Sequence, residues 1–210
     1  LDKLREAGVE VCKVEGPLAE DCLNLNLIFN YQIVRKQPFF ALKLAVTKDS
    51  KIAEYHGQSS VITGEEARAD VMRWRRLFPA IAIGAGTVIA DDPGLTSRLP
   101  SGEWCPRRII LDGKLSSVPK TGSLPKVYSD SFSKNTLVVT DKASSVDHIR
   151  RARLIEAGVT IRELPLDSED GFSYQKLREI LAEEDLTGVY FEGGAKVAHQ
   201  ILREKAVDYL

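Results

Sequence analysis

The 210-residue sequence has few cysteines, no long apolar run and almost no net charge. Its three cysteines, Cys12, Cys22 and Cys105, are odd in number and lack the spacing of a metal site, so we expect reduced thiols in a cytosolic protein. No run approaches the roughly 20 apolar residues that a membrane span needs, and no basic stretch followed by an apolar segment indicates a secretory signal. A formal net charge of −1 gives no attraction to nucleic acid or to an anionic membrane.

The remaining composition is that of an ordinary globular domain. Hydrophobic residues make up 43% of the chain, which is enough for a sizeable core, and the length fits one domain. Between residues 38 and 210, strand-like segments alternate with helix-like segments. This alternation predicts an α/β domain with a mainly parallel central sheet and helices on both faces. Because the chain begins with Leu1 and ends within a strand-like segment, we expect further sequence on both sides.

Local sequence patterns predict several helices, strands and loops. The apolar run at residues 39–46 predicts a central strand, and alternating valines near the start predict a short strand. Leucines and isoleucines at residues 18–34 predict a helix. Thr63 and Glu66 have the spacing of a capping box that opens another helix. Residues 114–135 lack periodicity and are expected to form a long surface loop.

A first glycine turn follows a buried strand. The apolar stretch at residues 81–83 leads into Gly-Ala-Gly-Thr at residues 84–87, and Asp91 and Asp92 come soon after. Glycine lets the backbone approach a ligand closely, and exposed amides with a threonine hydroxyl can hold phosphate. Taken alone the pattern is weak evidence, because Gly-x-Gly after a strand is more often just a tight turn.

A second glycine turn has the same arrangement near the end of the chain. A strand at residues 188–191 runs into Glu192, Gly193 and Gly194, and a helix follows. A helix N-terminus placed in this way can bind phosphate, and a carboxylate at a strand's C-terminal end lies where open α/β sheets bind ligands. The alternative is again a tight turn. We expect the two turns to share one groove, with an arginine on its far wall, and a ligand with several phosphates to bridge them.

Two cations are candidates for this groove. Lys43 interrupts an apolar run, either as a strand-edge lysine that reaches water or as a cation that points into a cleft at the strand's end. The second interpretation is favoured because apolar residues flank Lys43 on both sides. Arg75 follows Trp74 on the apolar side of its helix and can also reach a cleft, whereas the other arginines of that helix are expected to be solvated.

Five segments, taken together and in order, carry a family resemblance. They are residues 38–49, 57–63 (GQSSVIT), 86–98 (GTVIADDPGLTSR), 107–112 (RRIILD) and 189–194 (VYFEGG). The chain resembles the reductase domain of the bifunctional riboflavin-biosynthesis deaminase/reductase over roughly residues 36–210, and residues 1–35 look like the end of the deaminase half and its linker. The zinc signature of a cytidine-type deaminase is absent from the sequence, so no deaminase activity and no metal site are expected in this piece.

The resemblance implies a dihydrofolate reductase-like fold and an NADPH-dependent enzyme. Family members reduce the ribosyl group of a 5-amino-6-(5-phosphoribosylamino)pyrimidine to ribityl, with hydride going to C1′ of an open-chain, imine-like sugar. A cytoplasmic homodimer is expected on the same basis. The choice of NADPH over NADH rests on the family alone, since no Rossmann-type acidic residue is placed for a ribose hydroxyl. Whether the substrate is the pyrimidinone or the uracil form stays open.

The resemblance also implies roles for single residues. Lys43 and Asp49 are candidates for polarising the sugar and relaying a proton, and Glu192 would lie where substrate and cofactor meet. The implied cofactor contacts are Val46, Val61, Thr87, Asp91, Gly193, Gly194 and Ala195. The implied substrate contacts are Ser59, Arg75, Leu95, Arg98 and Glu192. The two arginines suit a phosphate because a guanidinium can bind it through two parallel hydrogen bonds.

The sequence departs from the family pattern in two places, and these departures keep other functions open. Lys48 and Ser50 alter the loop around Asp49, and Val61 stands where the family often has Trp, which leaves a smaller contact near the nicotinamide. One alternative is a dihydrofolate reductase-like enzyme for a pterin, although a pterin ring has no phosphate for the two arginines. The other is a catalytically idle domain that binds nucleotide or serves for assembly, supported by the departures alone.

Overall fold

A six-stranded sheet organises the chain in the computed structural model, which describes residues 1–49, 51, 62–168 and 171–210. The helices among these residues are α1 (Asp2–Glu6), α2 (Pro17–Leu25), α3 (Leu27–Arg35), α4 (Glu65–Leu77), α5 (Ala85–Asp91), α6 (Lys126–Ser129), α7 (His148–Glu156), α8 (Tyr174–Glu183) and α9 (Ala195–Arg203). The strands are β1 (Phe39–Leu42), β2 (Ala80–Gly84), β3 (Ser97–Leu99), β4 (Gly102–Trp104), β5 (Arg107–Leu111), β6 (Thr136–Thr140), β7 (Thr160–Glu163), β8 (Leu166–Ser168), β9 (Gly171–Phe172) and β10 (Gly188–Phe191).

The strands of the main sheet are all parallel and run in the order β1-β10-β2-β5-β6-β7. Two antiparallel pairs, β3–β4 and β8–β9, lie outside it. Successive side chains of a strand point to opposite faces, so Ile109 and Ile110 enter different core clusters. Leu177 of α8 and Ile201 of α9 complete one cluster, and Leu154 of α7 joins the other. The predicted α/β domain with helices on both faces of a mainly parallel sheet is therefore confirmed. No described helix has the length and apolar character to cross a membrane.

The strand predicted at the centre of the sheet lies instead at one end of it. β1 stops at Leu42 and pairs with β10 on one side, while on the other side a single bridge joins Ala41 to Tyr209. Its side chains are nonetheless buried, because aromatic rings cover them; the ring of Phe39 packs edge-on against that of Tyr31, with 5.2 Å between centroids. The apolar sequence of β1 is therefore explained by the helical aromatic side chains that cover this strand, and not by a central position in the sheet.

The opening segment differs from the sequence-based prediction in one element. The short strand predicted near the start is wrong: residues 9–15 have no regular structure. Two of their valines are about half exposed, and none of the described strands pairs with them. The helix predicted at residues 18–34 is present as two, α2 and α3. α3 is tied to the sheet by Tyr31, whose hydroxyl donates to Asp208 and accepts from Arg178, both at 2.9 Å.

Three local predictions need correction at helix boundaries. α4 begins at Glu65 with Gly64 as its N-cap, so the predicted capping box at Thr63 is wrong by one residue. The turn predicted at residues 84–87 is instead the N-cap and first turn of α5, which begins at Ala85 with Gly84 as its N-cap. The predicted loop at residues 114–135 contains the short helix α6.

Candidate active site

The two glycine turns lie side by side at one edge of the sheet. β2 and β10 are parallel neighbours, and the backbone N–H of Glu192 donates to the Ala82 carbonyl at 3.0 Å. A Cβ built on Gly194 would lie 3.5 Å from the hydroxyl oxygen of Thr87. The prediction that both turns occupy one edge of the sheet is therefore confirmed.

The start of α9 suits an anion. Its N-cap is Gly194, no described side chain caps it, and its first turn contains Lys196 and no acidic residue. Gly193 is required just before it, because a Cβ at this position would overlap the side chain of Val197. The first amides of a helix have no partner within the helix, and its dipole is positive at this end. Amides, dipole and lysine together favour a negatively charged ligand.

Glu192 and Arg75 form a two-point ion pair beside the turns. Arg75 Nε donates to Oε1 of Glu192 at 2.8 Å and Nη2 donates to Oε2 at 2.7 Å, while Nη1 donates to the Thr96 carbonyl at 2.9 Å. The two side chains are only 13% and 11% exposed. Burial acts to lower the pKa of Arg75, but the hydrogen bonds and charge of Glu192 outweigh it and raise that pKa. Arg75 therefore stays charged and fixes the orientation of the carboxylate.

An aromatic wall lies behind this pair. The rings of Trp74 and Tyr190 stack with 6.1 Å between centroids and 10° between planes. Burial raises the pKa of Tyr190, and the negative charge of Glu192 adds to the increase. Tyr190 is therefore a neutral, buried ring (4% exposed) that supports the half-buried indole of Trp74.

Lys43 lies immediately beyond β1, next to the end of β10. Its backbone N–H donates to the Phe191 carbonyl at 2.9 Å, and its half-buried side chain lines a cavity of about 500 Å³ with Val46, Trp74 and Tyr190. The ends of two adjacent strands thus carry an ammonium group and a carboxylate, which can donate and accept hydrogen bonds at one ligand.

The structure gathers some of the predicted residues and leaves others on the surface. Those brought to the shared edge are Lys43, Arg75, Thr87, Glu192, Gly193 and Gly194. Leu95 is buried with a left-handed backbone (φ 55°). Exposed residues include Val46, Asp49, Asp91 and Arg98. Ala195 is also exposed, but it follows Gly194 at the shared edge as the first residue of α9. Ser59 and Val61, like Ser50, lie outside the described residues. Within the described part of the chain, no group of His, Cys, Asp and Glu side chains could hold a metal ion.

Sequence patterns do not indicate a second cavity, of about 350 Å³, at the same edge. It lies between the end of β5 and α9, is lined by Lys114, Phe172 and Gln200 among others, and is called the β5–α9 cavity below. Sequence reasoning misses it because Lys114 belongs to a segment without periodicity and the sequence does not fix which way Gln200 faces. The available signal is Asp112-Gly113, which closes a third parallel strand at this edge.

Comparison with known families decides the assignment. The family model for the RibD C-terminal domain matches residues 38–210. This chain belongs to the RibD C-terminal domain family. The riboflavin biosynthesis protein RibD of Bacillus amyloliquefaciens is 36% identical over 207 residues, which cover 99% of this chain and 53% of that protein. The 2,5-diamino-6-ribosylamino-4(3H)-pyrimidinone 5′-phosphate reductase of Candida glabrata is 31% identical over 176 residues, covering 79% of this chain and 69% of that protein.

Solved structures of the family have the same fold. RibD of Acinetobacter baumannii superposes with a TM-score of 0.74 at 28% identity, covering 98% of this chain and 53% of that one. The diaminohydroxyphosphoribosylaminopyrimidine deaminase/5-amino-6-(5-phosphoribosylamino)uracil reductase of Thermotoga maritima gives 0.73 at 33% identity, covering 99% and 52%. The chain thus spans about half the length of the RibD relatives it matches. The dihydrofolate reductase-like fold implied by the resemblance is confirmed.

Proposed function

We propose that this chain is a reductase that uses NADPH to convert the ribosyl group of a 5-amino-6-(5-phosphoribosylamino)pyrimidine to ribityl in riboflavin biosynthesis. The observation that carries the proposal is the shared sheet edge in a chain of this family, where two glycine turns flank the carboxylate of Glu192. The Candida glabrata relative is named as a reductase of a ribosylamino-pyrimidinone phosphate. The Thermotoga maritima relative is named as a reductase of the uracil form. Both names support a phosphoribosylamino-pyrimidine as the substrate.

The residues at this edge fit a nicotinamide dinucleotide. The open start of α9 and the adjacent glycines would hold its diphosphate, with the Thr87 hydroxyl beside them. When bound, such a cofactor supplies the hydride, and the chain supplies binding and orientation. The proposed cofactor contacts are Val46, Val61, Thr87, Asp91, Gly193, Gly194 and Ala195.

Lys43 is the proposed proton donor toward the sugar. Its ammonium group belongs to the end of β1, beside the strand that carries Glu192, so it can donate a hydrogen bond to a sugar oxygen held over that edge. Opening the ribosyl ring to the imine requires a proton on the ring oxygen, and a positioned ammonium group can provide it. Asp49, on the loop that follows, would relay a proton from solvent.

Arg75 and Glu192 act as a unit in the proposed site. Two nitrogens of Arg75 already bond Glu192, so the guanidinium first orients the carboxylate toward the substrate. Its third bond, to the carbonyl of Thr96, ties the residue just before β3 to the same group. Arg98, exposed on β3, is then the principal proposed contact to the substrate phosphate. Ser59, Arg75, Leu95, Arg98 and Glu192 together form the proposed substrate site.

We also propose a cytoplasmic homodimer in which residues 1–35 are the end of a deaminase domain and its linker, and residues 36–210 are the reductase domain. The support is the family resemblance, together with RibD relatives of which this chain covers only 52% and 53%. NADPH as the preferred cofactor is proposed on the same family resemblance.

Oxidation of NADPH tests the function directly. The purified chain is mixed with NADPH and either the pyrimidinone or the uracil form of the substrate, and absorbance and product mass are followed. We expect oxidation only with a phosphoribosylamino-pyrimidine, matched by equimolar ribityl product. Dihydrofolate is the control substrate, and its reduction would favour a pterin reductase. Binding of NADPH without oxidation in the presence of any of these substrates would favour an idle nucleotide-binding domain.

A further inference from the structure

A buried arginine lies behind the segment that leads to Arg98. Arg108, on β5, is 0% exposed, and its Nη1 donates to the Gly94 carbonyl at 3.0 Å. The sequence indicates only a strand at this position and assigns Arg108 no function. Its guanidinium joins the main sheet to the chain four residues before Arg98, which is the principal proposed contact to the substrate phosphate.

All five N–H groups of this guanidinium have acceptors. Besides the bond to Gly94, Nη1 and Nη2 donate to the two carboxylate oxygens of Asp130 at 2.7 and 2.9 Å. Nη2 also donates to the Val127 carbonyl at 2.9 Å, and Nε donates to the Thr136 hydroxyl at 3.0 Å. Because these other partners belong to α6, its C-cap and β6, Arg108 is held in place independently of any ligand.

The backbone is strained directly after the Gly94 carbonyl. Leu95 is buried with a left-handed backbone (φ 55°), which a leucine keeps only where its surroundings impose it. Arg108 bonds the carbonyl of the preceding residue, and Arg75 bonds the carbonyl of the following one. Two charge-assisted bonds thus hold this backbone conformation, and such bonds are stronger than those between neutral groups.

The chain beyond Leu95 leads directly to the exposed arginine. The buried hydroxyl of Ser97 donates to the Met72 carbonyl of α4 at 2.6 Å, and Ser97 pairs with Trp104 at the start of β3. Arg98 comes next and is exposed. The position of Arg98 therefore depends on the direction in which the chain leaves Leu95.

We propose that Arg108 is a positioning residue of the substrate site: its bond to the Gly94 carbonyl fixes the backbone before β3 and thereby places Arg98 against the substrate phosphate. Because Arg108 is fully buried, it contacts no substrate itself. The identity of the ligand rests on the proposed function, whereas the hold on residues 94–98 does not.

Hydrogen exchange of the ligand-free chain tests this hold without any reaction. Arg108→Lys keeps a charge beside Asp130 but loses the planar fork of donors. We expect the amides of residues 95–99 to exchange at least about tenfold faster than in wild type, relative to the amides of β10, because local opening becomes easier. Thr136→Val is the matched control. It removes the acceptor of Nε but leaves the bond to Gly94, so the relative exchange at residues 95–99 should not change.

Steady-state kinetics provide the second readout. With the phosphorylated pyrimidine, Arg108→Lys should raise KM about tenfold, the loss of one charge-assisted contact, and change kcat and the KM for NADPH by less than about twofold. With the dephosphorylated substrate, wild type and Arg108→Lys should have the same KM. In an Arg98→Gln background, Arg108→Lys should add no further increase, because the two variants remove the same contact. Thr136→Val should match wild type in every case.

Unchanged relative exchange at residues 95–99 in Arg108→Lys would overturn the inference, and so would equal acceleration in Thr136→Val. An equal rise in KM for both substrate forms, or a further rise in the Arg98→Gln background, would overturn it as well. If Arg108→Lys does not fold, the double variant Arg108→Met/Asp130→Leu removes both charges together and carries the same expectations. Faster exchange in a chain that reduces no phosphoribosylamino-pyrimidine would contradict only the proposed function.

Discussion

The two ends of the shared sheet edge differ in how the hydrogen-bonding groups of their polar side chains are satisfied. At the β1–β10 end, Arg75 and Glu192 bond each other twice and are nearly buried. At the β5–α9 end, Gln200 Nε2 is buried without an acceptor among the described residues, and two lysines lie at the opening. At the first end the charged groups satisfy each other, whereas at the second a buried donor is left without an acceptor among the described residues.

This difference gives the two ends opposite responses to mutation. Removing one member of a buried ion pair leaves an uncompensated charge, which is strongly destabilising. Removing a buried donor that has no partner relieves a cost the folded state already bears. Stability measurements can therefore separate a buried ion pair from a buried donor that lacks an acceptor.

The largest effect on stability is expected at the β1–β10 end, where Arg75 and Glu192 pair. Glu192→Gln keeps the shape of the side chain but leaves Arg75 buried without its counter-charge, so the free energy of unfolding should fall by about 3 kcal/mol, and reduction should be impaired. Urea unfolding with an unchanged m-value measures the loss. The double variant Arg75→Met/Glu192→Met should recover most of the stability, because a buried pair can be replaced by apolar side chains. If the losses of the single variants Arg75→Met and Glu192→Met simply add in the double variant, the two side chains are not coupled and this comparison fails.

A second, smaller loss is expected where the two ends meet. The Cβ of Gly193→Ala would overlap the Val197 side chain, so this variant should lose about 1–3 kcal/mol and bind nucleotide less tightly. Gly86→Ala is the matched control, since its Cβ meets no described atom within 4 Å and lies within α5. Alanine favours a helix over glycine by about 0.8–1 kcal/mol, so the control should gain stability. Equal changes in stability in both variants would show that close packing against Val197 is not the reason for a glycine at position 193.

The shared edge could be predicted from sequence because two glycine turns each follow a buried strand. In a parallel sheet the C-terminal ends of the strands lie at one edge, so the order of strands need not be known. The order itself could not be predicted: the apolar run at β1 looks central, yet Tyr31 and other aromatic side chains cover it at the end of the sheet.

The pairing of Arg75 with Glu192 could not be predicted because it joins positions 117 residues apart. Single-residue arguments assign a ligand to each of them, and only the fold shows that they bond each other. The burial of Gln200 cannot be predicted for a related reason. On a helix, one residue of rotation separates a solvent-facing from a buried side chain, and the sequence does not fix that rotation to within a residue.

At the β5–α9 end we expect a change in the free energy of unfolding of the opposite sign, a gain. Gln200→Leu should raise the free energy of unfolding by about 1 kcal/mol in the absence of nucleotide, because a buried Nε2 without an acceptor among the described residues is replaced by an apolar side chain. Thermal and urea unfolding without ligand measure the gain. A loss of stability would mean that the amide has a structural role in the free protein, and the contrast between the two ends would disappear.

The smallest effect is expected in the pKa of a phenol at the β1–β10 end. Burial raises the pKa of Tyr190, and the charge of Glu192 raises it further. A raised pKa means that the folded state holds this proton more tightly than the unfolded state does. Its contribution to stability is therefore fully present below about pH 10 and is lost as the pH rises through the folded-state pKa.

Neutralising Glu192 should therefore lower the pKa of Tyr190 toward its ordinary value. An alkaline titration of tyrosinate absorbance in wild type and Glu192→Gln measures the shift, and Tyr190→Phe identifies which transition belongs to this residue. The pKa values of Tyr128 and Tyr174 are also raised by burial, but their other influences do not include Glu192, so their transitions should not move. An unchanged Tyr190 transition would mean that the charge of Glu192 is already neutralised by Arg75 at the phenol. In that case the pair would present no net field to a ligand, and it would act on substrate only through hydrogen bonds.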